Sequence, residues 1–227
     1  LEIKAKERGE SFSDAERAKA RATVERLNSE MDICEKSLNK AIEDMGRSDF
    51  RSARERDQFV GIMLELLQPS SVLKAPTGFG KDYYHTALKH MHDVLFKNRA
   101  TVNIQMTEAL KIKNIGDFSK MFESALEVAK SKYGLGTGGE GAVFKFEKIG
   151  EGRIQMTPEK LAQLKKAKVI FVEAGDINAL LSEAHFFDLR GYSGKPGEGL
   201  ARMRTTIEAV DFLAKQTNMI NEFHKLS

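Results

Sequence analysis

The strongest constraint on the fold is an alternation of short apolar segments with longer amphipathic ones that begins near residue 71. Short apolar runs are typical of buried strands, and apolar residues at helical spacing are typical of amphipathic helices. The pattern predicts strands near 71–75, 101–106, 142–147, 153–156 and 168–173, and helices near 81–97, 117–131, 158–166, 176–186 and 199–224. Strands that alternate with helices form crossover units on a largely parallel sheet, so we predict an α/β fold.

The composition is that of a globular protein in a reducing compartment. The chain has 227 residues, of which 41% are hydrophobic, and this length allows one large domain or one domain with an appendage. The net charge of +3 neither requires nor excludes a nucleic-acid partner. A single cysteine, Cys34, excludes an intramolecular disulfide framework. Because no apolar run approaches the length of a membrane span, we predict no membrane partner and a cytoplasmic, intracellular location.

The first fifty residues predict one long charged helix. Ser13 and Glu16 have the spacing of a capping box, and Gly46 lies where such a helix would end. Apolar residues form one stripe along it, at positions 24, 27, 31, 38, 42 and 45. Either this helix docks on the following domain or on the next helix, or residues 10–46 form a coiled-coil-like arm for a protein partner or for self-association. We therefore divide the chain into a helical arm (1–50) and a main domain (51–227).

The segment KAPTGFGKDYYH, residues 74–85, has the order of a phosphate-binding loop. An apolar segment precedes it, Gly78 and Gly80 allow the backbone to bend around an anion, and Lys81 opens an amphipathic helix. Backbone N–H groups at a helix N-terminus and a lysine together bind phosphate. The glycines lie between a predicted strand and a predicted helix, and this context favours a nucleotide site over a chance match to the motif.

Asp82 follows the lysine, at the position where such loops have Ser or Thr. Its carboxylate would repel the phosphates, although it could also hold Mg²⁺ directly. Aspartate is equally favourable in the first turn of a helix that binds nothing, because it complements the helix dipole. These residues alone therefore leave nucleotide binding and a ligand-free turn both open.

Three further segments extend the pattern: RERDQF at 54–59, RIQMTPEKLAQL at 153–164 and KVIFVEAGDINALL at 168–181. With the glycine-rich loop they resemble, in order and spacing, the first RecA-like lobe of superfamily 2 helicases and DEAD-box ATPases. The resemblance covers roughly residues 52 to 185. It implies a three-layer RecA-like lobe with a mostly parallel sheet, preceded here by the long helical arm.

The resemblance also implies roles for individual residues. Gln58 would read adenine, and Thr77, Gly78, Gly80, Lys81 and Asp82 would surround the phosphates. Glu173 would be the catalytic acid after the strand and, with Asp82, a ligand of Mg²⁺. Thr157 and Pro158 would lie on a face that contacts single-stranded nucleic acid.

The departures from that family fall on its catalytic parts. Asp82 replaces the hydroxyl that holds magnesium, and Glu173-Ala174-Gly175-Asp176 has one acid where the family has two adjacent ones. The rest of the chain has no room for the second lobe, which normally supplies arginine fingers. Phosphoryl transfer depends on positioned charge and metal, so hydrolysis should be weak or absent.

Other residues receive structural interpretations. His85, His90 and His92 have no cysteine nearby and lack the His-Glu-x-x-His spacing, so we interpret them as surface or partly buried helix residues. The segment 133–141 contains G-x-G-x-x-G, but it follows a predicted helix, so we interpret it as a loop without a dinucleotide site.

The sequence thus predicts an ATP-binding, helicase-like module that belongs to a larger protein and hydrolyses ATP poorly, with ATP and Mg²⁺ as cofactors. The alternative is a non-catalytic protein-interaction module that keeps this scaffold and binds its partner through the helical arm. A third interpretation is an active ATPase in which Asp82, with Glu173 or Asp176, holds Mg²⁺ in an unusual way.

Overall fold

The computed structural model describes residues 13–46, 66–67, 86–105, 108–149, 152–173, 175–182 and 198–220. In chain order its elements are α1 (Asp14–Asp44), α2 (Thr86–Phe96), β1 (Thr101–Gln105), α3 (Glu108–Tyr133), β2 (Val143–Lys145), α4 (Pro158–Lys166), β3 (Val169–Glu173), α5 (Glu198–Ala214) and β4 (Thr217–Ile220). A further helical segment covers 175–182. None of the helices in these ranges is long and apolar enough to cross a membrane.

The four strands form one parallel sheet in the order β2-β3-β1-β4. In the register of the central pair, Thr101 lies opposite Val169 and Gln105 lies opposite Glu173, so β1 and β3 end at the same edge. The predicted mixed α/β fold with a parallel sheet is confirmed at this level.

Helices cover both faces of the sheet, and the alternation of side chains along β3 shows which helices lie where. Val169 and Phe171 pack in a cluster with residues of α1, α2 and α3. Ile170 and Val172 pack in a second cluster with residues of α4, α5 and the segment 175–182. A strand buried on both faces must be apolar at every position, and four of the five residues of β3 are fully buried for this reason.

The long N-terminal helix is confirmed, and its second half belongs to the core. The predicted capping box is formed, since the Ser13 hydroxyl accepts from the Glu16 N–H and the Glu16 side chain returns to the Ser13 backbone. From Leu27 to Ile42 the apolar stripe is buried, and α1 packs mainly against α3 and also against α2. The first half differs, because residues 13–22 are all exposed. The division proposed between residues 50 and 51 falls outside the described residues.

Some predicted elements differ from those observed. The predicted strand at 153–156 is absent; Arg153 makes only an isolated bridge with Ile149, and Ile154 and Met156 are buried without strand pairing. Residues 217–220 were predicted as part of the helix near 199–224 but form β4, because they hydrogen-bond along β1. The helix predicted from 117 begins at Glu108 and continues through Gly116. Glycine destabilises a helix by about 1 kcal/mol relative to alanine, which is too little to end this one.

The glycine-rich segment after α3 is held against that helix. The Gly139 N–H donates to Glu127 Oε1 at 2.6 Å, and a Cβ at Gly139 would lie 2.0 Å from the Glu123 carbonyl oxygen. Only glycine allows so close an approach of two backbones. The segment therefore serves as a tight connection from α3 to β2.

Candidate functional site

The connections that leave β1 and β3 run to opposite faces of the sheet. After β1 the chain enters α3, whose Phe118 and Phe122 lie in the cluster on the first face. After β3 it enters the segment 175–182 and then α5, whose Leu180 and Ala209 lie in the cluster on the second face. Because β1 and β3 are neighbours, their carboxyl ends border the switch point of the sheet, which is where open α/β folds bind ligands. We therefore place the candidate site at this edge, and call it the switch-point site.

Three charged side chains meet at this edge. Glu173 is the last residue of β3, and its Oε2 lies 2.6 Å from Lys148 Nζ. Asp176 Oδ1 lies 3.5 Å from the same ammonium, and its Oδ2 accepts the backbone N–H of Glu173 at 2.8 Å. The Asp176 side chain is fully buried, that of Glu173 is 14% exposed and that of Lys148 is 28% exposed. A lysine thus neutralises part of the charge of two carboxylates that are largely removed from water.

Gly175 makes room for this arrangement. A Cβ on Gly175 would lie 2.6 Å from Glu173 Oε2. A larger residue would therefore push the carboxylate away from Lys148. The glycine between the two acids, which interrupts the acidic motif in the sequence, has a steric role in the ion cluster.

Of the residues that the sequence predicted for the site, the structure places Glu173 at the switch point. Gln58, Thr77, Gly78, Gly80, Lys81 and Asp82 lie outside the described residues, as does the rest of the segment 74–85. Within the described part of the chain, no three His, Cys, Asp or Glu side chains are grouped so that they could hold a metal ion. Lys148 was not predicted, since no spacing in the sequence links it to a residue 25 positions further along.

Thr157 and Pro158 begin α4. The Thr157 hydroxyl accepts from the Lys160 N–H at 3.2 Å, and Pro158 occupies the first turn, where its missing N–H costs nothing. Both residues thus have a local role in the start of the helix. Their predicted contact with nucleic acid stays a prediction.

We expect Thr157→Ala to lower the free energy of unfolding by about 1 kcal/mol, because it removes an N-cap acceptor. Thr157→Ser keeps the hydroxyl and should retain most of the stability. Urea unfolding followed by circular dichroism measures both variants. Equal stability of the alanine variant and the wild type would contradict the capping role.

A second group of charged residues lies between α1 and α2. His92 Nε2 lies 2.7 Å from Glu30 Oε2, and Asp93 contacts both Lys89 and Lys97. Burial lowers the pKa of His92, although its hydrogen bond to Glu30 opposes the shift, so the neutral imidazole is favoured. Burial also raises the pKa of the Cys34 thiol, which agrees with a structural role for this residue. The contact between His92 and Glu30 joins the N-terminal helix to α2.

The interpretation of the helix histidines as surface or partly buried residues is wrong for the two that the structure describes. His90 is fully buried, where it contacts the Thr101 hydroxyl and lies 3.3 Å from Asn103 Nδ2. His92 is only 1% exposed. β1 supplies partners for both ring nitrogens of His90 and α1 supplies one for Nε2 of His92, which the helix alone does not reveal. Nδ1 of His92 is buried without a hydrogen bond among the described residues.

A cavity of about 290 Å³ also opens between α1 and α2; it is lined by Thr23, Arg26, Leu27, Glu30, Leu66, Leu67, His92, Phe96 and Lys97. Its charged side chains already have internal partners: Arg26 lies 2.7 Å from Glu30, and Lys97 lies 2.9 Å from Asp93. None of the residues that line this cavity belongs to the switch-point site.

Comparison with known proteins finds no match: no family model matches the chain, and no curated protein or solved structure does so either.

Proposed function

We propose that this chain is an ATP-binding module of helicase type, part of a larger protein, in which hydrolysis is weak or lost. The observation that carries the proposal is the position of Glu173, the acid that the sequence motifs single out. It ends β3 beside the switch point, where a parallel sheet binds its ligand. The RecA-like arrangement and the roles of Gln58, Thr77, Gly78, Gly80, Lys81 and Asp82 are parts of this proposal.

The ion cluster supports the loss of hydrolysis. A general base or metal ligand must present an available carboxylate, and one of the two oxygens of Glu173, Oε2, is already engaged by Lys148 at 2.6 Å. Together with Asp82 in the phosphate loop, this leaves the site with an altered charge balance. We therefore propose that ATP is bound and released more often than it is cleaved.

We expect millimolar ATP to raise the melting temperature of the protein, and Lys81→Ala to abolish the increase. At a ligand concentration of one hundred times Kd, the stabilisation is about 2.7 kcal/mol, which a thermal-shift assay detects easily. Asp82→Thr should increase the shift, because it removes a negative charge beside the phosphates. Phosphate release, measured in parallel, should stay near background.

A second candidate function is a protein-interaction module, and the exposure of the first half of α1 favours it. Along residues 13–26 every side chain is exposed except the half-buried Thr23, whereas the stripe from Leu27 to Ile42 is already buried in the core. A partner of the N-terminal arm would thus bind the part that precedes Leu27. This second function would be favoured if ATP left the melting temperature unchanged and Lys81→Ala had no effect on it.

A further inference from the structure

The carboxylates at the switch-point site do not fit a magnesium ion as they stand. Mg²⁺ requires oxygen ligands at about 2.0–2.1 Å in nearly ideal octahedral geometry. Two of the four carboxylate oxygens of Glu173 and Asp176 already accept a hydrogen bond: Glu173 Oε2 from the Lys148 ammonium and Asp176 Oδ2 from a backbone N–H. Asp176 Oδ1 makes only an ion-pair contact with the same ammonium, at 3.5 Å. An incoming metal would have to displace these donors.

Burial makes this displacement costly. Asp176 is fully buried, and the Glu173 side chain is 14% exposed, so their attraction to the ammonium is screened less than it would be at a surface. A divalent cation that entered beside Lys148 would also be repelled by it. If Lys148 left instead, the buried carboxylates would lose the partner that stabilises their charge.

We propose that the Lys148 ammonium is the resident cation of the switch-point site and excludes divalent metal from the Glu173–Asp176 pair. Lys148 is then the residue that determines the cation preference of the site. The inference deepens the proposed ATP-binding function and rests on it in one respect: ATP binding would not depend on a metal ion held by the Glu173–Asp176 pair.

The direct test measures Mn²⁺ binding without nucleotide, by electron paramagnetic resonance of the free ion. We expect the wild type to show no Mn²⁺ binding that depends on Glu173. The Lys148→Met variant should bind Mn²⁺ at least about tenfold more tightly than the wild type, which corresponds to about 1.4 kcal/mol. Adding Glu173→Gln to Lys148→Met should abolish the gain. Lys148→Arg keeps the positive charge and should keep the pair closed to Mn²⁺.

Lys145→Met is the matched control, since Lys145 is a 55% exposed lysine at the end of β2, 3.8 Å from Glu147. It removes the same charge three residues away and should leave Mn²⁺ binding unchanged. Two results would overturn the inference: Mn²⁺ binding by the wild type that Glu173→Gln removes, or a folded Lys148→Met variant with no gain. If Lys148→Met fails to fold, comparing the Mn²⁺ binding of the wild type with that of Glu173→Gln still tests the inference.

The nucleotide measurement separates this inference from the proposed function. We expect ATP to raise the melting temperature equally in EDTA and in Mg²⁺. A shift that requires Mg²⁺ would overturn the expectation that ATP binds without a metal ion at this pair. If the melting temperature did not shift in either condition, ATP binding itself would be refuted. The Mn²⁺ measurements would still test the role of Lys148.

Discussion

Phe118→Ala is expected to lower the free energy of unfolding by about 3 to 5 kcal/mol, the usual cost of truncating a large core aromatic residue. Phe118 is fully buried, stacks on Phe122 with ring centroids 5.4 Å apart, and meets Phe171 edge-on at 5.1 Å. It therefore joins α3 to β3 at the centre of the first face. Alanine would leave a cavity that these neighbours fill only in part.

Urea unfolding followed by circular dichroism measures this loss, and Ile207→Ala on α5 provides the control. Ile207 is 44% exposed, so its truncation should cost less than about 1 kcal/mol. If Phe118→Ala destabilised the protein no more than Ile207→Ala, this result would contradict the packing of α3 on the sheet through Phe118.

Asp93→Asn should cost about 3 kcal/mol, because it leaves the ammonium of Lys89 largely buried without its counter-charge. The Asp93 side chain is 1% exposed and that of Lys89 is 12% exposed. Lys97 approaches from the other side, with its Nζ 2.9 Å from Asp93 Oδ1. The substitution keeps the size of the side chain, so the loss reports charge rather than packing.

Asp44→Asn is the matched control for Asp93→Asn. Asp44 pairs with Lys40 at the same i, i+4 spacing, at 2.7 Å, but both side chains are about half exposed, at 50% and 52%. Exposed helix pairs contribute about 0.3 to 0.5 kcal/mol, so this variant should be nearly neutral. Similar losses in the two variants would show that burial does not strengthen the Asp93 cluster.

The effect of Asp93→Asn should also depend on pH. Burial raises the pKa of Asp93, but the ammonium groups of Lys89 and Lys97 outweigh it and hold the pKa below its ordinary value of 3.8. The contribution of this carboxylate is therefore present above that value and is lost as the pH falls through the lower pKa of the folded state. The difference between the variant and the wild type should shrink in strong acid.

Local signals in the sequence predicted several elements closely. The capping box at Ser13 and Glu16 was predicted where the structure has it, since capping is a contact between residues three positions apart. The helix predicted near 158–166 matches α4, because its apolar spacing is also a local pattern. The strand ending at Glu173 was also predicted, because a continuous apolar run describes a strand buried on both faces. The position of Glu173 at the end of that strand followed from the same pattern.

Long-range pairing was not predictable in the same way. Residues 217–220 share the apolar spacing of the helix before them, and only the open edge of β1 makes them a strand. His90 and His92 resemble surface residues of a charged helix, and their burial depends on β1 and α1. In each case the deciding contact joins residues that are distant in the chain.

By itself, the sequence determined the mixed α/β class, the long capped N-terminal helix and the position of Glu173 at the end of a buried strand. Periodicity and capping act within a few residues, so they can be read along the chain. Only the tertiary structure decided the strand order, the switch point between β1 and β3, and the neutralisation of Glu173 by Lys148. These features depend on which distant segments come into contact, and the packing of the helices on the two faces of the sheet determines those contacts.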